Sequence, residues 1–412
     1  MGDLIEEYTK TFYLKDENVI PLMCAVAIGT KLPGDPIWLM LVGAPSSGKS
    51  ELINALSDVD FIHQVSTLTE NTFLSGMITS KSKETSLLHK IGPLGMIVMK
   101  DYTSILSMRS EKRDIIVSQM REIYDGHLVK KTGNGNDNEW YGKMNFIGGV
   151  TEKIYIAEEE TAGMGRRAMY YNMPEMETVD RYTITQKASE NTFDIKEKRS
   201  YIAGLFKEYI ENKLANTPEE MPVVPKDFKD SIIELSNFVT IARTATERDK
   251  YHGNMKLASS AEMPMRMSNQ LTMLASILIY MYGEVNETVK DIVTKMALDS
   301  IPQPKRLVLR ELAKYDWVTS KGVAHQMNYP TSTVTEWLED LNVMKLCDRV
   351  NETANSLDTW ELREEYRPTM INFDKLTRRE GGLKTGEDEE GSDDVGVMSE
   401  MQKKAERIFS EF

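Results

Sequence analysis

The sequence predicts an α/β protein: a three-layer fold on a parallel sheet, an all-helical region behind it, and a small mixed unit near the C-terminus. Three observations carry that prediction. Residues Ile37 to Leu56 read as apolar strand, glycine loop and helix in immediate succession. Further apolar runs alternate with helical spacing as far as about residue 174, the pattern of parallel strands joined by crossover helices. From about Glu175 the strand signal stops and a 3.6-residue apolar period takes over.

Residues 1–35 form an N-terminal helical segment. Val19, Ile20, Leu22, Met23, Ala25, Val26 and Ile28 give it a broad apolar face suited to packing on a sheet. A turn, Lys31 to Pro36, leads into the strand Ile37 to Val42. Gly43, Ala44, Pro45, Ser46, Ser47, Gly48, Lys49 and Ser50 then fill G-x-x-x-x-G-K-[ST] at every fixed position, with Glu51 opening the helix. Strand before and helix after are the context this motif needs. Its glycines let the backbone wrap a phosphate, with amide N–H groups aimed at the anion. Lys49, expected to face solvent, would reach the β- and γ-phosphates, and the Ser50 hydroxyl would hold magnesium. The expected ligands are therefore ATP and Mg²⁺.

Phe61 to Val65 is a short strand candidate, and Met96 to Met99 a second apolar strand ending in Lys100-Asp101. Ser110 to Tyr124 has helical spacing. Val129 to Tyr141 reads as two short strands around a Gly/Asn tip, a hairpin signal. Met144 to Val150 is a further strand, closed by Thr151, and Arg166-Arg167 follow an acidic run and Gly163-Met164-Gly165. The core so defined spans 36–174. Across 175–300, the segments Asp194–Ala215, Lys226–Asp249, Pro264–Gly283 and Val285–Asp299 are helices. Residues 301–366 read as a winged helix. Helix Arg306–Lys314, strand Val318-Thr319 and helix Ser320–Met327 come first. A helix capped by Thr331 or Ser332 follows, then strands Met344–Val350 and Asp358–Leu362. Residues 367–396 are expected to be a disordered acidic linker, and 397–412 an amphipathic helix carrying Met398, Met401, Ala405, Ile408 and Phe412.

Composition narrows the partners. The net charge is −14 over 412 residues, against a protein that coats nucleic acid by bulk charge. Ten acids and six bases from Arg378 onward supply −4 of it, so DNA contact must rest on a few placed cations. No apolar run approaches the ~20 residues of a membrane span, and Met1 to Lys15 has no export signal. Cys24 and Cys347, far apart in apolar segments, read as buried thiols of a reducing bacterial cytoplasm. The five histidines show no metal spacing.

The order of phosphate loop, acidic strand end, helix with inserted hairpin, polar strand end, arginine pair, helical region and winged helix resembles the AAA+ ATPases. Within them it is most similar to the minichromosome-maintenance-type and superfamily 3 helicases of phages and mobile elements. The resemblance covers Pro36 to Glu365 and implies several roles. Asp101 belongs to the acidic motif that holds magnesium and activates water. The family carries an Asp-Glu pair there, whereas this chain has Lys100-Asp101-Tyr102. Counting the strand puts Asp101 at the family's Glu; shifting by one makes it the magnesium-side Asp and puts Tyr102 at the base. Either way one carboxylate stands where two are expected. Thr151 matches the sensor that orients water. Arg167, or Arg166 beside it, matches the finger that reaches a neighbouring subunit's γ-phosphate. Arg266 matches the second sensor, with Arg243 and Arg248 as weaker candidates at the subunit junction. The hairpin, with Lys130 and Lys131 in it and Lys143 just beyond, matches the element that touches DNA in the ring's channel.

The resemblance implies an ATP-driven, ring-forming DNA helicase or translocase, hexameric by precedent and acting on single-stranded or forked DNA. The C-terminal tail reads as a docking element for a replication partner or neighbouring subunit. The other class is a nucleotide-switched DNA-binding protein, such as a helicase loader, origin-binding protein or transcription regulator. The single carboxylate at Asp101 favours the switch, and the hairpin and helical region favour the motor. A metabolic kinase needs neither the winged helix nor the arginine pair.

Overall fold

The first strand, β1 (Trp38–Val42), is buried along its whole length, and its side chains alternate between two separate cores. Leu39 and Leu41 enter one, whereas Trp38, Met40 and Val42 enter the other. A strand buried on both faces is what a parallel sheet covered on each side requires. In the computed structural model, which describes residues 1–75, 86–131, 137–155, 167–244, 246–248, 255–258, 260–350 and 358–372, that sheet has five strands. The others are β2 (Ile62–Gln64), β3 (Leu94–Met99), β6 (Lys143–Val150) and β7 (Met169–Asn172), and the order is β2-β3-β6-β1-β7, all pairs parallel. This is a parallel α/β sheet of the Rossmann-like or P-loop kind.

One face is covered by α1 (Gly2–Thr11) and α2 (Val19–Gly29). Every residue of α2 is buried. Asn145 of β6, itself fully buried, accepts from Ile37 N at 3.1 Å and donates to Val26 O at 2.7 Å, tying α2 to the sheet. Neither group is left without a partner in that apolar layer. After the short helix α3 (Lys49–Asn54), the opposite face carries α4 (Leu87–Ile91), α5 (Thr103–Leu106), α6 (Ser110–Tyr124) and a hairpin of β4 (His127–Lys131) with β5 (Asp137–Tyr141).

The helical region follows: α7 (Thr178–Glu190), α8 (Ile195–Ala215), α9 (Lys226–Ala242), α10 (Met265–Tyr282) and α11 (Glu287–Asp299). Its buried faces join the α2 core. Last come α12 (Gln303–Lys314), β10 (Val318–Thr319), α13 (Ser320–Met327), α14 (Thr331–Val343), β11 (Cys347–Val350) and β12 (Thr359–Leu362), with the strands in antiparallel order β10-β12-β11. Cys24 and Cys347 are buried free thiols, and burial pushes each up to about 12. Among the described residues no helix is long and apolar enough to cross a membrane.

Several expectations need correction. The helix expected to run to Asp249 ends at Ala242, and a small hairpin of β8 (Thr246–Arg248) and β9 (Met255–Ala258) follows. Strand structure therefore does not stop at Glu175. Neither β7 nor α7 was anticipated; α7 starts at a reciprocal box between Glu177 and Asp180. Pro330, not Thr331 or Ser332, occupies the cap of α14. The strand expected from Met344 starts at Cys347, because Lys345 takes a left-handed turn conformation (φ 59°) that strand pairing cannot hold. Of the expected disordered linker, residues 367–372 are instead helical, with Met370 buried in the core; the rest of it and the terminal helix lie outside the described residues.

Candidate nucleotide site

The loop after β1 is anchored at both ends. Gly43 N donates to Val150 O of β6 at 3.1 Å, and Ser47 N closes a turn on Ala44 O at 3.3 Å. Ser46 (φ 63°) and Gly48 (φ 86°) turn the chain left-handed. A Cβ on Gly48 would meet nothing within 4 Å, so its φ rather than crowding demands glycine. The helix after it, α3, has only six residues. An anion held here would rest on the loop amides and Lys49 rather than on a long helix dipole.

Lys49 does not face solvent, contrary to expectation: it is 8% exposed. Its ammonium donates to Gly43 O (2.7 Å), Ala44 O (2.7 Å) and Ser47 Oγ (3.0 Å). Three donors meet three acceptors, which is how a buried ammonium is tolerated. Burial pushes its pKa down, while the charges of Glu152 and then Asp101 pull it up. Ala44, Pro45, Ser46 and Ser50 are exposed. Glu51 is gripped by Arg199 of α8, whose Nε lies 2.9 Å from the carboxylate.

Strand register sets the acidic end. Met99 pairs with Gly148, and Val150 pairs with Val42, so Asp101 ends level with Val150 and Val42. Tyr102 N donates to Gly149 O at 2.7 Å. A Cβ on Gly149 would lie 2.6 Å from Lys100 O, so only glycine lets the two strand ends close up here. Asp101 is exposed. Tyr102 is buried, with its ring 6.0 Å from Phe146, so the shifted count, with Tyr102 at the base, finds no usable group there. Thr151 N donates to Thr103 Oγ1 at 3.1 Å, and the two hydroxyls are 3.4 Å apart. Thr151 therefore sits just past the end of β6, the strand between β1 and β3. Glu152, exposed and next in the chain, is a site residue that sequence reasoning missed. Its signal was an acid one residue past a polar strand end.

A cleft of about 560 Å³ opens beside the loop, lined by Ser46 to Glu51, Tyr8, Phe12 and Tyr13 of the N-terminal segment, and Ile184, Asn191 and Arg199. It is held by Asn191 Nδ2 donating to Thr11 O at 2.7 Å and by Lys15 against Asp180 at 2.7 Å. A mixed aromatic and polar cleft continuous with a phosphate loop fits a nucleotide's size and chemistry.

The arginines lie at the other end of the sheet. Met169 pairs with Leu39, so Arg167 is level with Ile37, six residues below Gly43, or about 20 Å along the strand. Arg167 Nη2 meets Asp125 Oδ2 at 2.8 Å. Arg266 meets Glu262 at 2.7 Å and lies over the Tyr124 ring. Arg243 holds the same Glu262 at 2.6 Å. Gln270, one turn beyond Arg266, donates to Arg167 O at 3.0 Å and so joins the two regions. The structure thus brings Arg167, Arg243 and Arg266 together and keeps them off their own phosphate loop. Arg166 and the side chain of Arg248 lie outside the described residues.

The hairpin lysines divide. Lys130 Nζ donates to Glu70 O (2.8 Å), Leu74 O (3.3 Å) and the Asn71 side chain. Lys143 Nζ donates to Gly29 O (2.8 Å) and Leu32 O (2.6 Å), and burial pushes it down to about 8. Both are half-buried and pin loops distant in the chain. Lys131 alone of the three is exposed. The tip, 132–136, lies outside the described residues. No protein-family model matches the chain, and no curated protein matches it.

Proposed function

We propose that this chain is an ATPase of the AAA+ kind, working as a ring-forming DNA helicase or translocase. The carrying observation is the layout at the strand ends: Lys49 in the loop after β1, Thr151 just past the end of the neighbouring β6, and Asp101 level with Val150 and Val42. In this reading Lys49 and the loop amides hold the β- and γ-phosphates, Ser50 and Asp101 hold magnesium, and Thr151 orients water. Magnesium supplies charge neutralisation on the transferring phosphoryl group. The set fits ATP and Mg²⁺ because exposed hydroxyl and carboxylate groups flank a buried, fully bonded ammonium.

The strand register supports assembly. An arginine about 20 Å down the sheet from its own loop can serve only a neighbour's, which favours a ring. Helices α7 to α11 then act as the lid, and the C-terminal unit as a winged helix. Measuring steady-state ATPase activity with and without single-stranded DNA, beside a forked-duplex unwinding assay, tests the reading. DNA-stimulated hydrolysis with unwinding is expected; hydrolysis that ignores DNA, with no unwinding, overturns the motor.

One observation favours the second reading, a nucleotide-switched DNA-binding protein. Lys130 of the hairpin and Lys143 at the start of β6 are committed to loop carbonyls, whereas Thr331, Ser332 and Lys345 of the C-terminal unit are exposed. In that case DNA contact moves to the winged helix.

A further inference from the structure

Resting on that reading, we propose that Glu152 is the second carboxylate of the site, the base that takes the proton of the attacking water, leaving Asp101 to the magnesium side. Strand β6 lies between β3 and β1, so its end lies beside the start of the phosphate loop. Val150 pairs with Val42 and accepts from Gly43 N at 3.1 Å, and Glu152 is two residues beyond. The backbone there is fixed. Thr151 is bonded to Thr103, and Ile154 N and Tyr155 N return to Thr151 O and Glu152 O, each at 3.1 Å. Ile154 and Tyr155 are buried while Glu152 is exposed, so the turn is anchored from below and its carboxylate stands clear.

Among the described residues, the acid next to the loop in the chain is already committed. Glu51 is held by Arg199. Of the two carboxylates that act on the Lys49 ammonium, Glu152 acts the more strongly. In the step itself, the water oxygen bonds to the γ-phosphorus as the bond to the β,γ-bridging oxygen breaks. The bridging electron pair stays on ADP, the water proton passes to Glu152, and inorganic phosphate leaves.

The test uses the full chain with Glu152→Gln and Asp101→Asn, read by a fluorescent ATP analogue with and without magnesium and by turnover. Glu152→Gln is expected to bind the magnesium complex like wild type, with KM unchanged and kcat lower by ~10²–10⁴. Asp101→Asn is expected to lose the gain in affinity that magnesium confers. If wild type hydrolyses ATP and Glu152→Gln stays within about twofold of it, the assignment falls and the ATPase reading stands. Affinity lost in step with kcat would mark Glu152 as structural and also overturn the assignment. Wild type that binds no analogue sinks both the inference and the reading beneath it.

Discussion

The two ends of the parallel sheet are built on opposite principles. At the carboxy end, Asp101 and Glu152 are exposed, and among the described residues neither carboxylate has a hydrogen bond or ion pair; each acts on Lys49 only through its charge. At the amino end the charged groups are committed: Arg167 to Asp125, and Arg243 and Arg266 to a shared Glu262. A site that must receive a polyanion and its metal keeps its acids open, because a carboxylate already paired cannot accept a proton or ligate cheaply. A site that must deliver a cation to another molecule gains from holding it in place. A carboxylate partner does that and can be exchanged for a phosphate of like charge and geometry. The comparison predicts that changes at one end damage binding or the chemical step within a subunit, whereas changes at the other damage turnover across a junction.

The largest effect follows from Lys49. Lys49→Ala removes the ammonium that the loop encircles, so triphosphate binding and all hydrolysis should vanish, read by nucleotide titration and phosphate release. Its three acceptors belong to the loop and its neighbours, so the circular dichroism spectrum should stay native. Near wild-type ATP affinity would break the comparison at its first term.

Next comes Arg167→Ala, expected to bind ATP normally and to lose ~10³ or more in turnover. The lost pair with Asp125, whose side chain is 51% exposed, matters little to stability. Mixing Arg167→Ala with Lys49→Ala should restore some activity, since one junction then unites an intact loop with an intact arginine. No rescue at any mixing ratio would argue that the amino end does not act on a neighbour.

Much of this contrast was legible in the sequence because its parts are local. The loop motif, the strand before it and the polar residue at Thr151 each follow from short-range pattern. What escaped depended on distant partners. Strand β7 is four residues long, and Met169, Tyr170 and Tyr171 are all buried, so no period-2 alternation announced it. Helix α7 buries little, with Asp180 its buried residue. It is held by Lys15 and Tyr13 from the N-terminal segment, contacts invisible in its own residues. Lys130, Lys131 and Lys143 looked alike for the same reason. Lys143 is bonded to carbonyls more than 100 positions away, and no local signal separates it from Lys131.

Lys143 therefore sharpens the difference between a structural and a functional cation. Lys143→Met keeps the apolar stem and deletes the ammonium, which withdraws donors from Gly29 O and Leu32 O. Stability should fall by ~1–3 kcal/mol in denaturant titration, with affinity for single-stranded DNA unchanged in the folded protein. DNA affinity lost without a loss of stability would return Lys143 to the DNA-contact set.

The smallest expected effect decides between motor and switch. Lys131 is exposed on the hairpin, whereas Lys130, one residue before it, holds the loop around Glu70 and Leu74. A chain at −14 must concentrate its phosphate contacts in a few such cations. Each contact on a single strand contributes about −0.7 to the slope of log affinity against log salt. Lys131→Ala should thus flatten that slope by about 0.7 and blunt DNA stimulation. Basal hydrolysis should survive, because the hairpin contributes nothing to the lining of the nucleotide cleft. Lys130→Ala should instead lower stability and leave the slope alone. An unchanged slope in Lys131→Ala, with DNA binding lost on replacing Lys345, would move DNA contact to the C-terminal unit. The hairpin would then be a clamp on its own sheet, and the switch the better reading.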